Sequence, residues 1–191
     1  MSEEWFKENK YLNAAAEEFL EIYGNADRKK ELLKIFGKTF LKYYEGSKKR
    51  NKLVEWESDF RRRIIEFFKW DALNSLNQLI RIRAGKIKSS DPIKDEVEVF
   101  SFILGSILGK IEYGICSPLF VQSIDKLKLG EVVGELMSAF DNLSIKLLEV
   151  YKPANFKYIG KRVEVIAGKH NTELTTLQRD LLKRIAYFFS R

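Results

Sequence analysis

Apolar side chains recur every three to four positions along most of this chain, and the longest run of that period organises the rest. Trp56, Phe60, Ile64, Phe68, Ala72, Leu76, Ile80, Ala84 and Ile87 step by four and finally by three, with Phe67, Leu73 and Leu79 on neighbouring rows. That spacing marks one helix face and not the alternation of a strand. It predicts a single helix over residues 53–88, roughly 50 Å long at about 1.5 Å per residue. Gly85 and the Ser89-Ser90-Asp91-Pro92 break close it.

Two shorter amphipathic helices precede it. Trp5, Leu12, Ala16, Phe19 and Tyr23 share one face up to Gly24-Asn25. Asp27 is placed to cap the next helix, whose stripe is Leu33, Phe36, Phe40 and Tyr44 and whose stop is Gly46. Beyond Pro92 the pattern changes. Residues 93–115 are apolar on almost every side, through Val97, Val99, Phe100, Phe102, Ile103, Leu104, Ile107, Leu108 and Ile111. A helix apolar all round is a buried one. Gly105 and Gly109, four apart, are read as sites of close packing against a neighbour. A short helix over 119–127 and a longer one over 131–151 follow, the latter ended by Pro153.

The last forty residues read differently. Phe156-Lys157-Tyr158-Ile159 and Arg162-Val163-Glu164-Val165-Ile166 alternate apolar and polar, which predicts two strands. Gly160-Lys161 would turn between them, and Gly168-Lys169-His170-Asn171 would form a second turn. Thr175-Thr176-Leu177-Gln178 fits a capping box opening a helix with Leu177, Leu181, Leu182, Ile185 and Phe189. The expected architecture is mainly α: a helical bundle domain at 1–152 around one long helix, then a small C-terminal β-plus-α domain at 153–191.

Composition supports a packed domain. Of the 191 residues, 45% are hydrophobic, with 14 Phe, 8 Tyr and 3 Trp, enough for a substantial core. Cys116 is the single cysteine, so no internal disulfide forms and a reducing compartment is expected. The charged residues 1–10 do not read as a signal peptide. The longest charge-free runs, 99–109 and 113–124, are too short to span a bilayer. A cytoplasmic protein with no membrane contact is expected, and the abundance of Lys, Glu and Ile points to a thermophile.

The net charge of +7 is unevenly placed. Residues 47–90 hold twelve basic and five acidic residues, whereas 1–46 sum to −1 and 91–191 to +1. The excess lies on the long helix and the connector before it, in three clusters: Lys48, Lys49, Arg50 and Lys52; Arg61, Arg62 and Arg63; Arg81, Arg83, Lys86 and Lys88. Such a footprint suits nucleic acid or an acidic protein surface. Arg61–Arg63 diverge by about 100° per residue and cover a broad arc. Arg81, Arg83 and Lys88 flank seam positions, where arginine more often pairs with an acid at a helix contact.

Catalytic chemistry finds little support. One histidine, His170, and one cysteine cannot close a Cys/His metal shell, and no phosphate-cradling or dinucleotide loop occurs. Cys116 follows a very apolar helix and reads as a buried thiol. Glu112 is the one carboxylate isolated in an apolar stretch, with Lys110 nearby. No enzymatic activity, metal or cofactor is expected.

The segment Leu76-Asn77-Gln78-Leu79-Ile80-Arg81-Ile82-Arg83-Ala84-Gly85-Lys86-Ile87, followed by Asp91-Pro92-Ile93-Lys94-Asp95-Glu96, resembles the corresponding helix, polar break and acid-starting helix of GINS subunits. The archaeal type that carries its small β domain last has this order of helical domain, linker and β domain, and Glu173-Leu174-Thr175 with Asp180-Leu181-Leu182-Lys183-Arg184 looks like the closing segment of that domain. The resemblance implies a non-catalytic scaffold of DNA replication. Its partners would be subunits of the same complex, the MCM replicative helicase and a RecJ-like factor. It further implies an oligomer, with Phe100, Ile103, Ile107, Leu181, Ile185 and Phe189 serving subunit contacts. The alternative is a helical nucleic-acid-binding module, or a small subunit of a larger nucleoprotein complex.

Overall fold

The computed structural model describes residues 8–49, 64–116, 129–151 and 157–190. Among the described residues there are seven α-helices and no strand. They are α1 (Lys10–Leu20), α2 (Ala26–Lys49), α3 (Ala72–Arg83), α4 (Pro92–Lys110), α5 (Leu129–Val150), α6 (Lys157–Lys169) and α7 (Thr176–Phe189). Two five-residue π-helical segments interrupt the regular period, Phe67–Asp71 before α3 and Ile111–Ile115 after α4.

The local signals act much as their chemistry requires. Asn9 caps α1, and Gly24 ends the 3₁₀ turn Glu21–Tyr23 with φ +70°. The start of α2 is capped by Asn25, whose side-chain oxygen accepts from the amides of Asp27 (2.9 Å) and Arg28 (3.4 Å); Asp27, expected to be the cap, lies in the first turn instead. Gly46 does not stop α2, which runs on to Lys49. Asp91 caps α4 with Pro92 opening it. Thr175 and Gln178 form the expected capping box, each side chain accepting the other's backbone amide.

The helix expected over 53–88 is shorter at its end. Residues 50–63, with Trp56 and Phe60, lie outside the described residues. From Ile64 the seam is buried through Phe67, Phe68, Ala72, Leu76 and Leu79. It then surfaces at the partly exposed Ile80, and α3 ends at Arg83. Gly85, at φ +69°, closes it with a Schellman pair of bonds, Lys86 N–H to Arg81 C=O and Gly85 N–H to Ile82 C=O.

The centre of the fold is α4. Val97, Phe100, Ile103, Leu104, Ile107 and Leu108 are all buried, as an all-round apolar helix should be. It packs most closely on α2, and the two run parallel: Phe36 meets Phe100 at 5.9 Å between ring centroids, and Arg28 pairs with Asp91 at their starts. The crossing is made by glycine. A Cβ on Gly105 would lie 2.5 Å from the carbonyl oxygen of Phe40, and one on Gly109 would lie 2.9 Å from that of Tyr44. The two glycines are thus packing residues. Phe100 also stacks on Phe19 of α1 at 4.0 Å and lies 4.8 Å from Tyr151 at the end of α5.

The expected C-terminal strands are corrected to a helix. Ile159, Val163 and Ile166, spaced by four and three, are the buried face of α6. Val165, which the alternating reading placed on one face with Val163, is exposed. Gly160 is no turn; its Cβ would fall 2.8 Å from the carbonyl oxygen of Ala186, so it lets α6 cross α7 closely. Helix α6 packs on α7 and α1, and α7 on α5. Their buried residues belong to the same contiguous apolar cluster as α1 to α5. The short helix expected over 119–127 lies outside the described residues.

Candidate nucleic-acid interface

The clearest one-signed surface lies on α2. Between Leu32 and Tyr44 the chain holds Lys34, Lys38 and Lys42 and no acid. Spaced by four on one helix, the three lysines follow a gently drifting row about 12 Å long. All three are exposed, and none makes an ion pair among the described residues. Lys30 extends the row towards the helix start, where the neighbouring Glu31 is held by Arg28 at 2.6 Å. The opposite face of α2, with Leu32, Phe36, Phe40 and Tyr44, is buried against α4. Burial on one side therefore fixes the lysines on the other.

An aromatic band runs beside the end of this row. Lys42 Nζ lies 5.3 Å over the Tyr43 ring, and Tyr43 meets Phe102 of α4 edge-on at 4.5 Å. Phe102 meets Phe67 at 5.9 Å, and Lys110 Nζ lies 4.4 Å over Phe67. Three positions after Phe67, the Trp70 side chain is 56% exposed, with Lys69 Nζ 5.7 Å from the centre of its ring. Tyr43 and Phe102 are half-buried.

The basic residues singled out in the sequence divide. Lys48 and Lys49 form the last turn of α2. Arg50, Lys52, Arg61, Arg62 and Arg63 lie outside the described residues. Arg81, Lys86 and Lys88 are exposed at the end of α3 and in the turn after it. Arg83, its side chain about a third exposed, bridges elements instead: it pairs with Glu96 of α4, donates to the Val150 carbonyl at 3.1 Å and lies 5.5 Å over the Tyr151 ring. It is the helix-contact arginine that its seam-flanking position suggested. Phe100, Ile103, Ile107, Leu181, Ile185 and Phe189 are all buried within this chain's own core. A contact made through those helices would use other side chains.

The remaining ionisable groups of the interior are structural. Glu112, 7% exposed, accepts from the Tyr44 hydroxyl and from Lys169 Nζ at 3.2 Å, with Arg162 at 3.8 Å. It ties α2, the π segment after α4 and α6 together. Burial and the Glu112 bond push the Tyr44 hydroxyl well above the usual phenol range. Burial, aided by Glu112 and Glu173, pushes the Cys116 thiol up to about 12. A thiol held so far from ionisation is no nucleophile at neutral pH. Gln178 is buried and donates to the Ile115 carbonyl at 2.6 Å, fixing α7 to the same π segment. His170 pairs with Glu173 in the α6–α7 turn. A groove of about 200 Å³ between α6 and α7, lined by Ala167, Leu174, Leu182 and Ala186 with Arg179 at its rim, is smaller than ordinary ligand pockets.

No protein-family model, curated protein or solved structure matches the chain. No helix among the described residues is long and apolar enough to cross a membrane.

Proposed function

We propose that this chain is a non-catalytic helical module that binds the phosphate backbone of nucleic acid, as a small subunit of a larger nucleoprotein assembly. The observation that carries the reading is the acid-free row Lys34, Lys38 and Lys42 on the solvent face of α2. Lysine serves phosphate as a point charge and needs no fixed geometry. Three such contacts release condensed counterions with a salt slope of about −2 on a single strand and about −2.7 on duplex DNA. Between 50 and 200 mM salt the affinity would then fall by about 20- to 40-fold from these lysines alone. Arg81, Lys86 and Lys88 would add to it. The test is fluorescence anisotropy with labelled oligonucleotides across that salt range. Lys34→Glu/Lys38→Glu/Lys42→Glu should weaken binding and flatten the slope by about two. Unchanged affinity and slope would refute the reading.

A second reading, a scaffold subunit of the replication machinery, is supported by residues 76–96. There a helix ending in Arg81 and Arg83, a polar break and an Asp91-capped helix follow one another in the order of the GINS resemblance. The helices at Lys157–Lys169 and Thr176–Phe189, in place of strands, remove its other support, the small β domain. Association of the purified chain with a replicative helicase, followed by native mass spectrometry, tests it; a free chain at micromolar concentrations counts against it.

A further inference from the structure

Between their crossing at Gly160 and the turn that joins them, α6 and α7 leave a groove of about 200 Å³. Its floor is Ala167, Leu174, Leu182 and Ala186, aliphatic throughout. Small residues keep it open. Two of the floor residues are alanine, and a Cβ added to Gly168, which also lines the groove, would meet nothing within 4 Å. A dry apolar cavity of about 150 Å³ holds one benzene ring. The groove therefore suits one leucine- or phenylalanine-sized side chain.

The rim adds charge of one sign. Glu164 on the α6 side is held by Lys161 at 2.9 Å, which neutralises it. Arg179 and Lys183, one turn apart on α7, line the other side, and neither makes an ion pair among the described residues. Arg179 donates to the Asn171 carbonyl at 2.8 Å. That bond engages one of its five donors with a neutral partner and keeps the guanidinium at the edge of the groove.

We infer that this groove docks an acidic segment of a partner protein, which buries one large apolar side chain on the aliphatic floor and sets carboxylates against Arg179 and Lys183. Two cations beside an apolar slot favour an anchor flanked by acids and oppose one flanked by bases. The floor argues against nucleic acid, because bases stack on aromatic faces and no aromatic residue lines the groove. The net charge of +7 argues against a second copy of this chain. The mode is that of a helix laid in a groove, reduced to a single anchor. It is independent of the phosphate reading, which rests on α2.

The test selects short peptides from a random display library on the full chain, then titrates the enriched sequence, fluorescein-labelled, by anisotropy. Enriched sequences should carry one large apolar residue with Asp or Glu within one helical turn of it. Gly168→Phe, which sets a ring over the groove, should weaken the probe about 10-fold, the low end for burying one such side chain. Gly168→Ala, a methyl group in open space, should leave binding unchanged. Arg179→Glu/Lys183→Glu should weaken the acidic probe and bind a copy with Lys in place of its acids more tightly than the unmodified protein does. Thermal melting of each variant controls for folding. No enrichment, enriched sequences without acids, or a folded Gly168→Phe protein that binds the probe normally overturns the inference. Displacement of the probe by single-stranded oligothymidylate overturns it in favour of nucleic acid. A dimer in sedimentation equilibrium that Gly168→Phe dissociates overturns it in favour of a second copy.

Discussion

Replacing Gly105 by alanine should unseat the central helix pair, although the change adds one methyl group and removes none. The added Cβ would lie 2.5 Å from the Phe40 carbonyl oxygen and 3.2 Å from its carbonyl carbon and Cα. These are backbone atoms, so no rotamer change relieves the clash. Reaching ordinary contact at 3.4 Å requires α2 and α4 to part by about 0.9 Å. A gap of that size forfeits a quarter to a half of each dispersion contact across it, and Phe36, Phe40, Tyr44, Phe100, Ile103 and Leu104 are buried around this crossing. Overpacking of this kind costs about 1–3 kcal/mol, occasionally more. Alanine's better helix propensity returns about 1 kcal/mol, but several large side chains are disturbed, so a net loss of about 2 kcal/mol is expected. Gly134, in the middle of α5, is the control, because a Cβ added there would meet nothing within 4 Å. Gly134→Ala should gain about 0.4–1 kcal/mol. Urea unfolding followed by circular dichroism measures both midpoints. In thermal melts Gly105→Ala should lose about 4–8 °C. A Gly105→Ala protein as stable as the unmodified one would refute the close-crossing account, whatever Gly134→Ala does.

Three further outcomes follow from the interior. Glu112→Ala leaves the Tyr44 hydroxyl and Arg162 without their carboxylate and should cost about 3 kcal/mol in urea unfolding, whereas Lys169→Ala, at a side chain 67% exposed, should cost less than about 1 kcal/mol. Cys116 should stay inert to a thiol reagent at pH 8 until denaturant is added, because burial holds its pKa at about 12. Tyr23 is likewise raised to about 12 by burial, and burial raises Tyr44 and Tyr151 as well. Unfolded, these groups lose their protons first. Their contribution to stability is therefore intact below about pH 9 and falls as pH rises towards 12, which urea midpoints at pH 8 and pH 10.5 would compare.

Much of the helical framework was legible because its signals are local. The α4 burial follows from a run with no polar face, the Asp91-Pro92 start and the Thr175–Gln178 box from backbone capping, and the Gly105/Gly109 crossing from the glycine interval. The C-terminal error has a physical source. Val163 and Val165 alternate as on a strand face, whereas Ile159, Val163 and Ile166 step by four and three as on a helix face, and the exposed Val165 decides between the two. Gly160 looked like a turn because its purpose, contact with Ala186, lies 26 positions away. The lysine row on α2 was hidden by summing charge over segments. The acids of the first helix cancelled it, whereas counting by helix face would have exposed the four-residue interval. Arg83 was legible as a helix-contact residue, but its partner Glu96 was not, because pairing across the α3–α4 break is set by tertiary geometry.

The packing of α6 against α1 has a consequence for synthesis. The buried face of α1, with Leu12, Ala16 and Phe19, is completed partly by a helix that begins at Lys157. At roughly 5–20 residues per second, translation leaves that face without its last neighbour for roughly 10–30 s. Closing so long a loop also places the contact late among folding events. Until then, among the described residues, α2, α4 and Tyr151 are what cover the first helix, a period in which a nascent chain is exposed to chaperones and to its own neighbours on the same message.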